Sequence, residues 1–581
     1  MIDVAQALWL LVAALGLSLS VSYAGLPMLG QSAFIAVGGY GVALLGPGGV
    51  GLPLGVAAAA AVLIAALLGY FTAVGLSRLD GAYLALATWT LAWLVQRILL
   101  AYPGVFGGPE GLTRPVPAHL ISRSLGVETV LTTKINLVFA AGICVLVLLA
   151  FIRMGKGPGG LDLAVLRESP QLATSLGVAV AARRRAVFTM TAVLGAVSGV
   201  GSTVLLGIVS PSDVSPLLSL QLFVAVLVGG AARWWGPVLG VALVSVLASV
   251  ADRLGSVGDV SPERLRGLLT AILLLGVLAL RGPLGRLGRT AGRVIQPTRS
   301  TLPVPERQVP TLEGPVELSA THVSISYASV PAVDDVSLVL RGGEVHALIG
   351  PNGSGKSTLL HVLAGDVVAG EIRVGGRSCR ARGVRDRVLA GVVRTPQRSV
   401  VLSALTPAMQ VAVGARVGSP SRQAMLRHLF ATPRSRVEAE RVRAVVGAAL
   451  RETGLLGVSD TDPVRLTVGE QQLLQVARAI ATGASVFLFD EPSAGMTDGE
   501  RQTLRAVVRG LATAGAAVFI VEHDMRFVGA AADFVSVLDA GRIIASGTPV
   551  RVRDDPLVRE VYLGSSLDGG AGGTHVEADR P

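Results

Sequence analysis

Charge is scarce in this sequence. Only 15% of its 581 residues are Asp, Glu, Lys or Arg, against about 25% in ordinary soluble domains, which argues against a wholly solvated surface. Aromatic residues are equally thin at 4%, and no basic stripe is interleaved with them, so the net charge of +11 does not describe a nucleic-acid surface. Cysteine is down to two: Cys144 lies in an apolar run and Cys379 in a polar region, which excludes a disulfide framework. Lysine is nearly missing too, with Lys134, Lys156 and Lys356 standing against 47 arginines. The first apolar run has no basic flank before it and reads as a membrane span rather than a cleavable signal.

Hydrophobic residues make up 51% of the chain and the mean hydropathy is +0.62, but these averages join two unlike parts. Residues 1–282 hold almost all the long apolar runs, while residues 315–564 read as a soluble α/β domain. A helix needs about 20 apolar residues to cross a bilayer. On that basis spans are expected near 5–25, 33–46, 53–76, 83–101, 135–152, 186–209, 217–231, 236–251 and 267–280. The expectation is a polytopic α-helical membrane domain of about nine spans, with eight to ten as the range, rich in the Gly and Ala that allow close helix packing. A soluble helical core would need polar faces, and residues 57–68 offer none. Residues 25–32 (GLPMLGQS) suggest a broken or re-entrant helix. Residues 283–314, rich in Arg, Pro and Thr without a period, read as an extended linker, and 565–581 as a disordered tail.

The polar half carries chemistry. In VHALIGPNGSGKSTLLHVLAG (345–365) an apolar strand runs into Gly350, Pro351, Asn352, Gly353, Ser354, Gly355, Lys356, Ser357 and Thr358, and a helix follows. Small residues let successive backbone N–H groups point at phosphates, and the helix N-terminus adds positive potential. Lys356 is placed to reach the β- and γ-phosphates of ATP, and the Ser357 hydroxyl to hold Mg²⁺. That one of three lysines stands here matters, because a compact ammonium and a planar guanidinium are not interchangeable. Further on, SVFLFDEP (485–492) is a buried-strand pattern ending in Asp490, a candidate Mg²⁺ ligand, and Glu491, placed to polarise an attacking water. ATP is cytoplasmic, so the ATPase half and residues 281–299 belong inside. Counting back puts Arg233 and the Arg-rich segment 152–185 inside as well, with 102–134, 210–216 and the N-terminus outside.

Four blocks in order, SYAGLPMLGQSAFIAVGGYGVALL (22–45), LDGAYLALATWTLAWLVQ (79–96), FGGPEGL (106–112) and SPSDVSPLLSLQLFVAVLVGGAARWWGPVLG (210–240), resemble permeases of the branched-chain amino acid uptake family. LTVGEQQLLQVARAI (466–480) resembles the ABC ATPase signature, with Leu466, Thr467, Val468, Gly469 and Glu470 in its places. Val468 and Glu470 depart from the commonest form. SAGMTDGE (493–500) and the stretch from EHDM at 522 to GTP at 549 look closer to the ATPases of the same uptake family than to exporter ATPases. The resemblance implies an ABC ATPase fused behind the permease. It gives Gln397 a place near Mg²⁺, His523 contact with the γ-phosphate, and Tyr327 stacking on adenine. Residues 161–180 would form a cytoplasmic coupling segment, with Ala164, Leu172 and Leu176 on one apolar side of a short helix closed by Gly177. It further implies a multi-pass protein of the cell membrane that drives import of a branched-chain or other hydrophobic amino acid. Urea or a short amide is the alternative within the family, and a membrane ATPase that moves no solute the alternative outside it. Each ATP of this family is sandwiched between one cassette's phosphate loop and the other's signature. A second permease and second ATPase, or a second copy of this chain, are therefore expected, with an extracytoplasmic solute-binding protein.

Overall fold

A computed structural model of the chain describes residues 2–76, 79, 81–113, 129–230 and 235–254, short stretches between 267 and 276, and 316–561 apart from 329, 380–382 and 418–432. The chain forms two compact units that are not linear in sequence. One contains Met1–Glu168 and Val180–Arg299, the other Ser169–Ala179 and Ser300–Pro581.

The first unit is helical: α1 (Ile2–Ser18, prolonged by a π-turn at Leu19–Tyr23), α2 (Gln31–Leu45), α3 (Leu54–Leu76), α4 (Gly81–Ala101), α5 (Thr129–Lys156), α6 (Pro158–Glu168), then α8 (Val180–Leu206), α9 (Pro216–Gly230) and α10 (Gly236–Leu254). Five stretches, Ile2–Tyr23, Leu54–Leu76, Gly81–Ala101, Lys134–Gly155 and Val180–Leu206, are long and apolar enough to cross a membrane. Gln31–Leu45, Pro216–Gly230 and Gly236–Ala251 are shorter apolar helices. These coincide with eight of the nine expected segments. Part of the ninth, with Arg233, the linker and the tail, lies outside the described residues.

Small residues set the packing. The buried positions of α3 are Ala57, Ala61, Ala65, Gly69 and Ala73, one every four residues, while Leu63, Ile64, Leu67 and Phe71 face outward. Such a stripe admits a neighbouring backbone and leaves an apolar surface for lipid. Between α2 and α8 the approach is closer still: a Cβ on Gly199 would lie 2.0 Å from the Ile35 carbonyl oxygen, and one on Gly38 2.2 Å from that of Ala196. The expected break appears as the π-turn, an extended passage and a restart at Gln31. Several of its polar groups are met across the bundle, as a non-aqueous surrounding demands. The buried Gln31 amide donates to the carbonyls of Ala13 (3.2 Å) and Thr191 (3.3 Å), and the Ser32 N–H donates to Ser219 Oγ at 2.7 Å.

The second unit is built on two sheets. An antiparallel sheet has the order β2-β1-β4-β5, from β1 (Glu317–Tyr327), β2 (Val330–Arg341), β4 (Glu371–Val374) and β5 (Arg377–Ser378). The other runs β10-β9-β3-β8-β7-β6, from β3 (Val345–Ile349), β6 (Val392–Arg394), β7 (Val486–Asp490), β8 (Ala517–Val521), β9 (Phe534–Asp539) and β10 (Arg542–Gly547). All its pairings are parallel except β9 with β10. Every residue of β3, β7 and β8 is buried, which explains why they read as mainly apolar runs rather than alternating ones. Their carboxyl ends share one edge. The α/β expectation for this half therefore holds.

Residues 161–180 do not form one helix. Pro170 cannot continue the preceding turn, so Ala164 stays in α6, and a new helix α7 (Pro170–Ser175) starts with the Ser169 hydroxyl accepting from the Leu172 N–H at 3.1 Å. Gly177, at φ +73°, closes it. Within the second unit Leu172 and Leu176 are buried in a small cavity lined also by Val393, Pro396, Gln475 and Arg478.

Gly199→Val should force α2 and α8 apart, and overpacking of this kind costs about 1–3 kcal/mol. A lowered melting temperature of the detergent-solubilised protein is expected, with Leu63→Val on the outward face as the neutral control. Equal melting of both variants would refute the close backbone contact.

Candidate nucleotide-binding and hydrolysis site

The loop between β3 and α11 (Lys356–Ala364) folds around its glycines. Gly355 adopts φ +103° at the helix N-cap, and a Cβ there would sit 2.0 Å from the Ala332 carbonyl oxygen, so only glycine fits. Lys356 is buried and curls back over the loop, donating to the carbonyls of Gly350 (2.8 Å) and Pro351 (2.7 Å). Burial lowers its pKa, while the nearby carboxylates of Glu491 and Asp490 pull the other way. Asn352 and Gly353 are exposed at the tip, and the hydroxyl of Ser354 is buried without a hydrogen-bond partner. Ser357 and Thr358 occupy the first turn of α11. A helix N-terminus, an ammonium and an unsatisfied hydroxyl in one loop form an anion site. Tyr327 ends β1, is 55% exposed and pairs with Val330; two residues on, Ala332 abuts Gly355. Tyr327 and the carbonyl that meets Gly355 thus belong to one hairpin.

Beyond β7 lies the acidic edge. Asp490 is buried and its Oδ1 has no hydrogen-bond partner. Burial raises its pKa against the lowering effect of Arg394. A hard divalent cation takes carboxylate and hydroxyl oxygens, and this orphaned oxygen beside the Ser357 turn fits one. Glu491 follows in a left-handed backbone at φ +46°, its N–H bonded to the Val521 carbonyl at 2.9 Å. Strain of this sort in a non-glycine residue clusters at functional sites. His523 stands just past β8 with its side chain 65% exposed, and Gln397 is exposed three residues beyond β6.

Three features here were not read from the sequence. Glu522 is fully buried; its carboxylate accepts from the N–H groups of Ser493 (2.9 Å) and His523 (3.2 Å), which ties the segment after Glu491 to the end of β8. Its signal was only its place beside His523. Arg394, just ahead of the Gln397 loop, bonds Asp366 at 2.5 Å, and His361 Nδ1 lies 2.8 Å from the same Asp366 oxygen. Burial acts upward on the Asp366 pKa, but His361 and Arg394 together hold it below the usual carboxylate range.

The third concerns 466–470. Thr467 caps α15 (Val468–Ala481) in a reciprocal box: the Glu470 N–H donates to Thr467 Oγ at 3.0 Å and the Thr467 N–H to Glu470 Oε2 at 2.8 Å. Glu470 thus departs from the commonest signature while completing the S/T-x-x-E capping pattern. The same pattern recurs as TDGE (497–500), where Thr497 caps α16 (Asp498–Thr513) with Glu500. Leu466 and Gly469 are buried, and Thr467 and Val468 face outward.

A phosphate loop and two carboxylates at the carboxyl edge of a parallel sheet, in one chain with helices of bilayer length, define a membrane protein driven by a nucleotide-binding ATPase. Residues 4–278 match the family described as branched-chain amino acid transport system / permease component. Residues 333–494 match ABC transporters, and 542–568 the branched-chain amino acid ATP-binding cassette transporter family. The hemin import ATP-binding protein of Rhodococcus jostii is 33% identical over 45% of this chain and 85% of its own length. The high-affinity branched-chain amino acid transport ATP-binding protein of Pseudomonas aeruginosa is 29% identical over 43% and 98%. The xylose import ATP-binding protein of Moorella thermoacetica is 30% identical over 42% and 46%. The chain belongs to the ABC transporter family, as a permease of the branched-chain amino acid type fused to its own ATP-binding cassette. It binds nucleotide and couples ATP hydrolysis to transport, and proteins of this family work with partner subunits and a solute-binding protein.

Gly355→Ala should abolish binding of a fluorescent ATP analogue, Lys356→Ala should weaken it strongly, and Tyr327→Ala should do so mildly. Unchanged binding in Gly355→Ala would contradict the contact with Ala332; unchanged binding in Tyr327→Ala alone would remove Tyr327 from the adenine site.

Proposed function

We propose that this chain is one half of an importer that carries a branched-chain or other hydrophobic amino acid across the cell membrane. The observation that carries the solute class is the permease match over residues 4–278, joined by the cassette match at 542–568 to the same uptake family. The cassette alone discriminates little, since relatives named for hemin, branched-chain amino acids and xylose match it at 29–33% identity.

The chain's own residues divide the work. The N–H groups of residues 352–358 and the Lys356 ammonium bind the ATP phosphates, with Tyr327 against the adenine. When bound, Mg²⁺ would neutralise charge between the β- and γ-phosphates, held by Ser357, Asp490 and Gln397. Glu491, fixed by its backbone bond to Val521, orients the attacking water and takes up its proton. His523, which is exposed, is assigned the contact with the γ-phosphate. Leu466, Thr467, Val468, Gly469 and Glu470 complete the nucleotide site of a second cassette. Residues 169–179, continuous with permease helices at both ends yet part of the cassette unit, carry the cassette's movement to the spans.

Glu491→Gln should keep ATP binding and lose about 10²–10⁴-fold in turnover, the usual weight of one general base. Near wild-type hydrolysis in the assembled transporter would remove Glu491 from that role. For the solute and the assembly, the tagged chain is purified from its native membrane with its companions and reconstituted in vesicles with the binding protein. ATP-dependent uptake of leucine in preference to urea is expected, from a particle containing a second permease and a second ATPase. Uptake of urea instead would move the solute to the short amides, and a symmetric two-copy particle would replace the unlike partners.

A further inference from the structure

Thr467 Oγ accepts from the Glu470 N–H at 3.0 Å and donates to Glu500 Oε1 at 2.9 Å. A hydroxyl has one proton, so this one is already committed. The carboxylate that takes it is not a casual neighbour. Glu500 Oε2 accepts from both the N–H and the hydroxyl of Thr497, each at 2.8 Å, so the group is aimed by the start of its own helix, α16. It also lies flat against the signature glycine: a Cβ on Gly469 would fall 2.1 Å from Glu500 Cδ. Thus one carboxylate fills the space left by the missing side chain of Gly469, takes the proton of Thr467 and faces the positive N-terminus of α15. The bonds from the Thr497 N–H and hydroxyl hold its pKa below the usual carboxylate range against the opposing effect of burial, with a lesser lowering from Thr467, so it is ionised at neutral pH.

We propose that Glu500 is a positioning residue that occupies the signature half-site as a tethered anion at rest and is displaced from Thr467 by the γ-phosphate of ATP held in a partner cassette. This rests on the reading of 466–470 as the signature. Its logic is competitive: Thr467 cannot donate to a carboxylate and a phosphate together, and two anions at one helix N-terminus repel. ATP brings the γ-phosphate that displaces Glu500. ADP does not, so after hydrolysis the carboxylate recaptures Thr467 and favours separation of the two cassettes. Anchoring by Thr497 keeps the displaced carboxylate close by, ready to return.

The test is steady-state ATPase kinetics of the assembled transporter in vesicles, with ADP inhibition measured alongside. Glu500→Gln removes the charge, and Glu500→Asp keeps it on an arm too short to cap Thr497 and reach Thr467 together. Both should lower the KM for ATP about three- to tenfold, the worth of roughly one hydrogen bond, with kcat moving less, and both should leave inhibition by ADP unchanged. Thr467→Ala should reduce kcat, and Thr467→Ser should restore it. If Thr467→Ala is impaired while both Glu500 variants keep or raise the KM, Glu500 is only a helix cap and the proposal is overturned. If Thr467→Ala hydrolyses ATP normally, the signature reading itself fails and the proposal falls with it.

Discussion

The parallel pairing of β3 with β8, and of β8 with β7, is the constraint on which the site depends. It brings Ile349, Val521 and Asp490 to one edge of the sheet, from which the phosphate loop, His523 and Glu491 continue. The edge can be polar because the strands behind it are not. With every residue of β3, β7 and β8 buried, the register is fixed by apolar contact on both faces. The loops beyond inherit fixed starting points, which a site built for placing phosphate oxygens requires.

Glycine solves one problem in both units, that of bringing backbones together, in opposite surroundings. In the cassette, Gly355 lets a strand carbonyl meet the phosphate loop; in the helical unit, Gly199 and Gly38 let α2 and α8 touch. The first contact positions N–H groups toward a ligand. The second gives close van der Waals packing where burial from water drives little association.

The features legible in the sequence are those whose cause is local. The phosphate loop is written in consecutive residues because its geometry is a property of consecutive N–H groups. Apolar spans are legible because a bilayer sets their length, and β7 because a buried parallel strand must be apolar throughout. The division of 161–180 was also written locally, in Ser169 and Pro170. The roles of Glu522, Arg394 and Glu500 depend on partners brought in by the fold: Ser493 on another loop, Asp366 after α11, Thr467 on a helix beginning some thirty residues earlier. For Glu500 the two T-x-G-E stretches each form a local cap that went unread, and no spacing rule joins them through one carboxylate.

The near absence of lysine has a chemical consequence. Lys356 is the single lysine of the cassette, and its amine is buried, bonded to two carbonyls and of lowered pKa. Burial and those two bonds keep amine-reactive reagents away from it. Acylating labels thus have one target in this half of the chain, and any loop movement that uncovers it would be recorded covalently against an almost silent background.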